Sequence, residues 1–95
     1  MLTIHAREQL AARIPDPTAR EAFAAIAERE AMRAATLPGC TAIRLGRCPR
    51  TYTADGSNGD YIVAIAERGT VVTVYYRRAS QPCPPRAARM IDATR

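Results

Sequence analysis

Tyr61-Ile62-Val63-Ala64-Ile65-Ala66-Glu67-Arg68-Gly69-Thr70-Val71-Val72-Thr73-Val74-Tyr75-Tyr76-Arg77-Arg78 is the stretch that decides the fold. Tyr61 to Ala66 is apolar at consecutive positions, so neither face of a strand built from it can meet water; it reads as a central strand. Thr70 to Arg78 is rich in β-branched and aromatic residues and is the strongest strand signal in the chain. Only Arg68-Gly69 separates the two runs. A two-residue connection with glycine free to take positive φ predicts a tight antiparallel hairpin, placed at the centre of the sheet.

Upstream, Thr41-Ala42-Ile43-Arg44-Leu45 alternates, with Ile43 and Leu45 on one side and Arg44 on the other. It predicts a further strand, and Thr51-Tyr52-Thr53 a short one. Asp55-Gly56-Ser57-Asn58-Gly59-Asp60 is dense in turn formers. Before the strands the period changes from two to about 3.6. Ala6, Leu10 and Ile14 are four apart and form one helical stripe. Asp16-Pro17 is a helix start, with Asp16 as cap and Pro17 at the first helical position. That second helix carries Phe23, Ile26 and Ala27 on one face and runs to about Thr36. Arg20, Glu21, Glu28 and Arg29 read as its solvated surface, and Pro38-Gly39 ends the helical region.

Downstream, Pro82, Pro84 and Pro85 stop the sheet, and 79–95 reads as an irregular tail or a short helix over Ala87–Ala93. Helices first and strands after them make an α+β protein. The expectation is a single domain over 1–95, helical over 1–37 and sheet over 41–78, with two helices packed on a three- to four-stranded antiparallel sheet.

Composition narrows the function classes. All fourteen basic residues are arginine, so no lysine is present to form a Schiff base. Residues 1–40 hold five arginines and five acids, whereas residues 41–95 hold nine arginines and four acids; the whole net charge of +5 lies in the second half. Such a field suits RNA or DNA, and equally an acidic protein. GC-rich coding produces the same arginine and alanine excess. Cys40, Cys48 and Cys83, with His5, match no zinc-site spacing, so no metal or cofactor is expected. The start Met1-Leu2-Thr3-Ile4-His5-Ala6-Arg7 has no apolar run and no segment is long enough to span a bilayer; a cytoplasmic protein with free thiols and no membrane partner is expected.

His5 is the only histidine. On the first helix it lies four residues before Gln9 and eight before Arg13, a polar edge beside the Ala6–Leu10–Ile14 stripe. It is the side chain whose ordinary titration range lies nearest neutral pH.

His5-Ala6, Arg13 and the strand Val72-Thr73-Val74-Tyr75, in this order of elements, resemble the barnase–EndoU–colicin–RelE superfold of small metal-independent ribonucleases and toxins. They more closely resemble an uncharacterised bacterial and phage family placed near it. Members open with His-Ala, carry arginine four and eight positions after the histidine, turn through Gly-Ile/Val-Ser, and close on a Val-Thr-Val-Tyr strand. Here Gln9 stands where the middle arginine falls, and Ile14-Pro15-Asp16 occupies the turn without its glycine.

The resemblance implies a basic, toxin-like protein that binds RNA on the exposed sheet face, with metal-independent cleavage as the further expectation. His5 would move the proton as base or acid. Arg13 and Arg77 would hold the scissile phosphate through forked hydrogen bonds, Thr73 would donate to a phosphate oxygen, and Tyr75 would stack on a base or serve as a weak acid. Arg44, Arg47, Arg50 and Arg78 would hold nucleic acid. Plainer roles stand beside these: Arg13 pairing with Glu8 or Asp16, Thr73 as a strand former, one of Tyr75 and Tyr76 in the core, Arg77-Arg78 keeping a strand end soluble. The alternative is a non-catalytic phage-type or regulatory binding protein that grips a host protein or nucleic acid; an acidic protein partner would be an antitoxin, an immunity protein or a host factor. Gln9 and the absence of lysine favour that alternative.

Overall fold

A computed structural model describes residues 1–47, 61–77 and 87–93, with the backbone alone at Arg47. The helices are α1 (Ile4–Arg13) and α2 (Pro17–Arg33); the strands are β1 (Cys40–Arg47), β2 (Tyr61–Glu67), β3 (Thr70–Arg77) and β4 (Ala87–Asp92). Both helices start where the local chemistry provides a cap. The Thr3 hydroxyl accepts from the Ala6 amide, and the Asp16 carboxylate accepts from the Ala19 amide with Pro17 following it. The Arg20 guanidinium donates to the carbonyls of Ile14 and Pro15, both at 3.0 Å, and so clasps the turn between the helices. Half-buried at the surface, it therefore has a structural role as well.

The hairpin forms as expected. Glu67 pairs with Thr70, and the two residues between them take φ of 52° at Arg68 and 85° at Gly69. Two successive positive φ values define the turn type that matches the twist of the flanking strands. Glycine accepts this freely; arginine does so at a cost of about 1 kcal/mol. A Cβ on Gly69 would also meet the Ala35 Cβ at 3.3 Å.

The strand order is β3-β2-β1-β4. β2 lies inside the sheet, but β3 is the last of the four strands on its side, so the hairpin does not form the centre. The outer side of β3 is taken by the chain's own start: Leu2 bridges Val71 in parallel, the Val71 amide donates to the Met1 carbonyl at 2.8 Å, and the Thr3 amide donates to the Val71 carbonyl at 3.0 Å.

The expectation of an irregular or helical tail is corrected. Ala87–Asp92 is a strand, and it pairs with β1 in parallel, so the sheet is mixed and not wholly antiparallel. One arginine accounts for much of its anchorage. Arg89 donates to the buried Thr41 hydroxyl at 3.0 Å and to the Pro38 carbonyl at 2.6 Å.

Alternation sorts the strands into two faces. Ile43, Leu45, Ile62, Ala64, Ala66, Val71 and Val74 meet Ala6, Leu10 and Ile14 of the α1 segment and Ala27 and Ala31 of α2. Phe23 packs at the margin of this core, so close to β1 that a Cβ on Gly46 would lie 2.8 Å from its ring. On the other face Ala42, Tyr61, Val63 and Ile65 form a second buried cluster. No helix among the described residues is long and apolar enough to cross a membrane.

Two substitutions test the hairpin and one the terminal strand. Gly69→Ala should lose about 1–2 kcal/mol, whereas Arg68→Gly should gain about 0.5–1 kcal/mol, both read from denaturant midpoints at unchanged m. Arg89→Ala should cost about 1–3 kcal/mol by orphaning Thr41, and should speed hydrogen exchange at the Ala93 amide, which bonds to the Arg44 carbonyl beside β4. Unaltered exchange there would show that Arg89 does not hold the strand.

Candidate functional site

A cleft of about 310 Å³ opens at the hairpin end of the sheet. His5 reaches it from the first turn of α1, Cys40 from the start of β1, and Ile65 and Glu67 from β2. From β3 come Val72, Thr73 and Tyr75. Three residues expected to act together, His5, Thr73 and Tyr75, thus line one space although almost the whole sheet separates them in sequence.

A β-bulge makes this possible. Neighbours on a regular strand point to opposite faces, so Val72 and Thr73 ought not to line the same cleft. The β2–β3 register steps from Ile65↔Thr73 to Ala66↔Val71, which leaves Val72 as the extra residue. A bulge of this kind bends the strand and re-aims its side chains.

Glu67 and Cys40 were not singled out as site residues by sequence reasoning. The Cys40 thiol donates to a Glu67 carboxylate oxygen at 3.8 Å. Nothing local in the sequence reveals this pairing. It becomes visible once the antiparallel register, Thr41↔Ala66, sets Cys40 beside Glu67. Among the described residues no group of three or more His, Cys, Asp or Glu is placed to hold a metal ion.

The arginines sort differently from the expectation. Arg13 is two helical turns, about 12 Å of rise, from His5, and its guanidinium stacks 4.6 Å from the centre of the Tyr76 ring. It does not line the cleft, nor does it pair with Glu8 or Asp16. Arg77 lies two residues from Tyr75 on the same face and stacks on its ring at 5.9 Å, flanking the cleft without lining it. Arg44 stacks on Tyr61 at 4.3 Å. All three arginines bury an Nε with no hydrogen-bond partner. The ring face offsets part of that cost, at about 0.5–2 kcal/mol per stack. Arg47 contributes a described backbone only, opposite Tyr61. Arg50 and Arg78 lie outside the described residues, as do Cys48, Cys83 and the strand expected over 51–53.

The expected exposed sheet face is also corrected. Ala42 and Val63 are wholly buried and Tyr61 is 2% exposed, because a strand apolar on both faces is covered on both. Tyr75 is half-buried, whereas Tyr76 is exposed. Among the described residues the lining of the cleft holds one imidazole, one carboxylate, one thiol and two hydroxyls over the apolar Ile65 and Val72, and no arginine.

A smaller hollow of about 100 Å³ lies between the helices, with Arg7, Arg20 and Glu21 in its lining. Its cations are engaged, Arg20 by the carbonyls above and Arg7 by Glu28 at 4.0 Å, so it offers little chemistry. No family model, curated protein or solved structure matches this chain, and the reading of the cleft rests on its own side chains.

Proposed function

We propose that this protein binds RNA across the cleft and its rim, and cleaves it without a metal in the manner of small ribonuclease toxins. The observation that carries the reading is the gathering of His5, Thr73 and Tyr75 on one cleft, with Arg77 against Tyr75.

The chemistry needs two proton-transfer groups and a charge stabiliser. The ribose 2′-oxygen attacks the adjacent phosphorus as a base removes its proton. The bond from phosphorus to the 5′-oxygen breaks, and an acid returns a proton to that oxygen. Among the described lining residues His5 and Glu67 supply an imidazole and a carboxylate for these two roles. Thr73 donates to a phosphate oxygen, Arg77 supplies the compensating charge from the rim, and Tyr75 offers a ring to an unstacked base. Arg44 and the arginines at 47, 50 and 78 extend the electrostatic hold.

A second reading has its own support. Among the described residues no arginine lines the cleft, and Arg13, Arg44 and Arg77 lie over tyrosine rings. A non-catalytic binder of an acidic protein, such as an antitoxin, an immunity protein or a host factor, fits that arrangement.

The deciding assay is cleavage of a mixed-sequence RNA in the presence of a chelator. Wild-type protein should cleave, His5→Ala should lose about 10²–10⁴-fold in rate, and Arg13→Gln should keep its rate. No cleavage by wild type at a concentration where RNA is bound favours the binder. Equal cleavage by wild type and His5→Ala removes His5 from the mechanism.

Binding itself is tested by salt. Arg44→Glu and Arg77→Glu should each flatten the slope of log K against log salt by about one unit. Slopes unchanged in both, and in the corresponding variants of Arg47, Arg50 and Arg78, would reject a nucleic-acid ligand.

A further inference from the structure

Thr3 precedes the first helix and has no place in the chemistry above, yet its side chain makes two bonds that meet at the site. Its Oγ1 accepts from the Ala6 amide at 3.1 Å and donates to the Val72 carbonyl at 3.2 Å. The first bond caps α1, two residues before His5. The second ends on the bulge residue of β3, one residue before Thr73. A hydroxyl has a single proton to donate and lone pairs to accept with, so one oxygen serves both sides at once.

Both partners need this bond. The Ala6 amide is one of the first amides of α1 and has no acceptor within the helix. The Val72 carbonyl belongs to the extra residue of the bulge, where the ladder to β2 is interrupted. The backbone of the same segment is clipped to the strand next door: the Thr3 amide donates to the Val71 carbonyl, and the Val71 amide to the Met1 carbonyl.

We infer that Thr3 is the positioning residue of the cleft, a pin whose hydroxyl fixes the helix start that carries His5 against the bulge that carries Thr73. Without it α1 remains a helix packed by Ala6, Leu10 and Ile14 and the backbone clip at Val71 remains, but its first turn loses the side-chain bond that sets it against the bulge. That His5 works on RNA in this cleft rests on the function proposed above. The pin is a property of the fold and is read without RNA.

The test separates capping from pinning. Thr3→Ser keeps both bonds. Thr3→Asp keeps the cap acceptor but, as a carboxylate, has no proton for the Val72 carbonyl. Thr3→Gly is a tolerated cap with no side chain at all, and stands in should the aspartate variant fail to fold. The readouts are nuclear Overhauser contacts between the His5 ring and the β3 side chains of the cleft, and hydrogen exchange at the Val71 amide.

Wild type and Thr3→Ser should show the His5 contacts. Thr3→Asp and Thr3→Gly should lose them and exchange the Val71 amide about tenfold faster or more, while helical circular dichroism stays near the wild-type value. In the chelator assay the same two variants should lose about 10²-fold in rate, the scale for a misplaced reacting group, and Thr3→Ser should not. His5 contacts that persist in Thr3→Asp and Thr3→Gly overturn the inference, as does a Thr3→Ser variant that behaves like them. RNA left uncut by wild type, with the contacts following this pattern, removes the ribonuclease reading and leaves the pin standing.

Discussion

Strand β2 is apolar on both faces, and that constraint places the other elements. Six consecutive residues from Tyr61 to Ala66 are buried. Burial on two faces demands two covering layers, and a buried backbone demands a hydrogen-bonded strand on each edge. The helices supply one layer through Ala6, Leu10, Ala27 and Ala31. β1 and β3 supply the two edges, β3 by the shortest connection available and β1 from earlier in the chain. The interior side chains are small or branched, and two alanines of β2 face the alanine-lined helices. A core poor in aromatics is thin, and it takes its shape from close approach of backbones; the ring of Phe23 against Gly46 is the clearest instance.

The parts legible in the sequence are those fixed by neighbours in the chain. Asp16-Pro17 carries its own cap and first helical residue. Arg68-Gly69 carries its own turn geometry. The stripe of Ala6, Leu10 and Ile14 follows from spacing alone. β4 is different. Ala87-Ala88-Arg89-Met90-Ile91-Asp92 has neither strict alternation nor a run of β-branched residues, and its signal is no stronger for strand than for helix. What makes it a strand is a vacant edge of β1 and the hold of Arg89 on Thr41 and Pro38, about half the chain away. A parallel partner cannot be announced by a turn, because parallel strands are never joined by one.

The site was legible to a similar limit. His5 and the Val72-Thr73-Val74-Tyr75 strand could be marked one by one, from residue type and from resemblance. Their meeting could not, since it depends on the bulge. A regular β3 would turn Val72 and Thr73 to opposite faces, and Val72-Thr73 has no glycine or proline to mark the irregularity. Glu67 and Cys40 were hidden for the related reason that register, not spacing, brings them together.

The arginine excess reads differently once each guanidinium is located. Arg20 and Arg89 bond backbone carbonyls, Arg29 and Arg33 flank the buried Glu30 at 3.3 and 3.4 Å, and Arg13, Arg44 and Arg77 lie on tyrosine rings. A planar group with five donors suits carbonyls and ring faces in a way an ammonium does not, so part of the arginine count is explained by folding. Stacking leaves the charge itself intact. A guanidinium on a ring keeps its terminal donors for an anion while its side-chain freedom is already spent, so a phosphate meeting Arg77 beside Tyr75 would find a cation that has little left to order. The structural and the electrostatic roles of these arginines are thus compatible, and the same stack that fills a margin of the fold can preorganise the rim of the cleft.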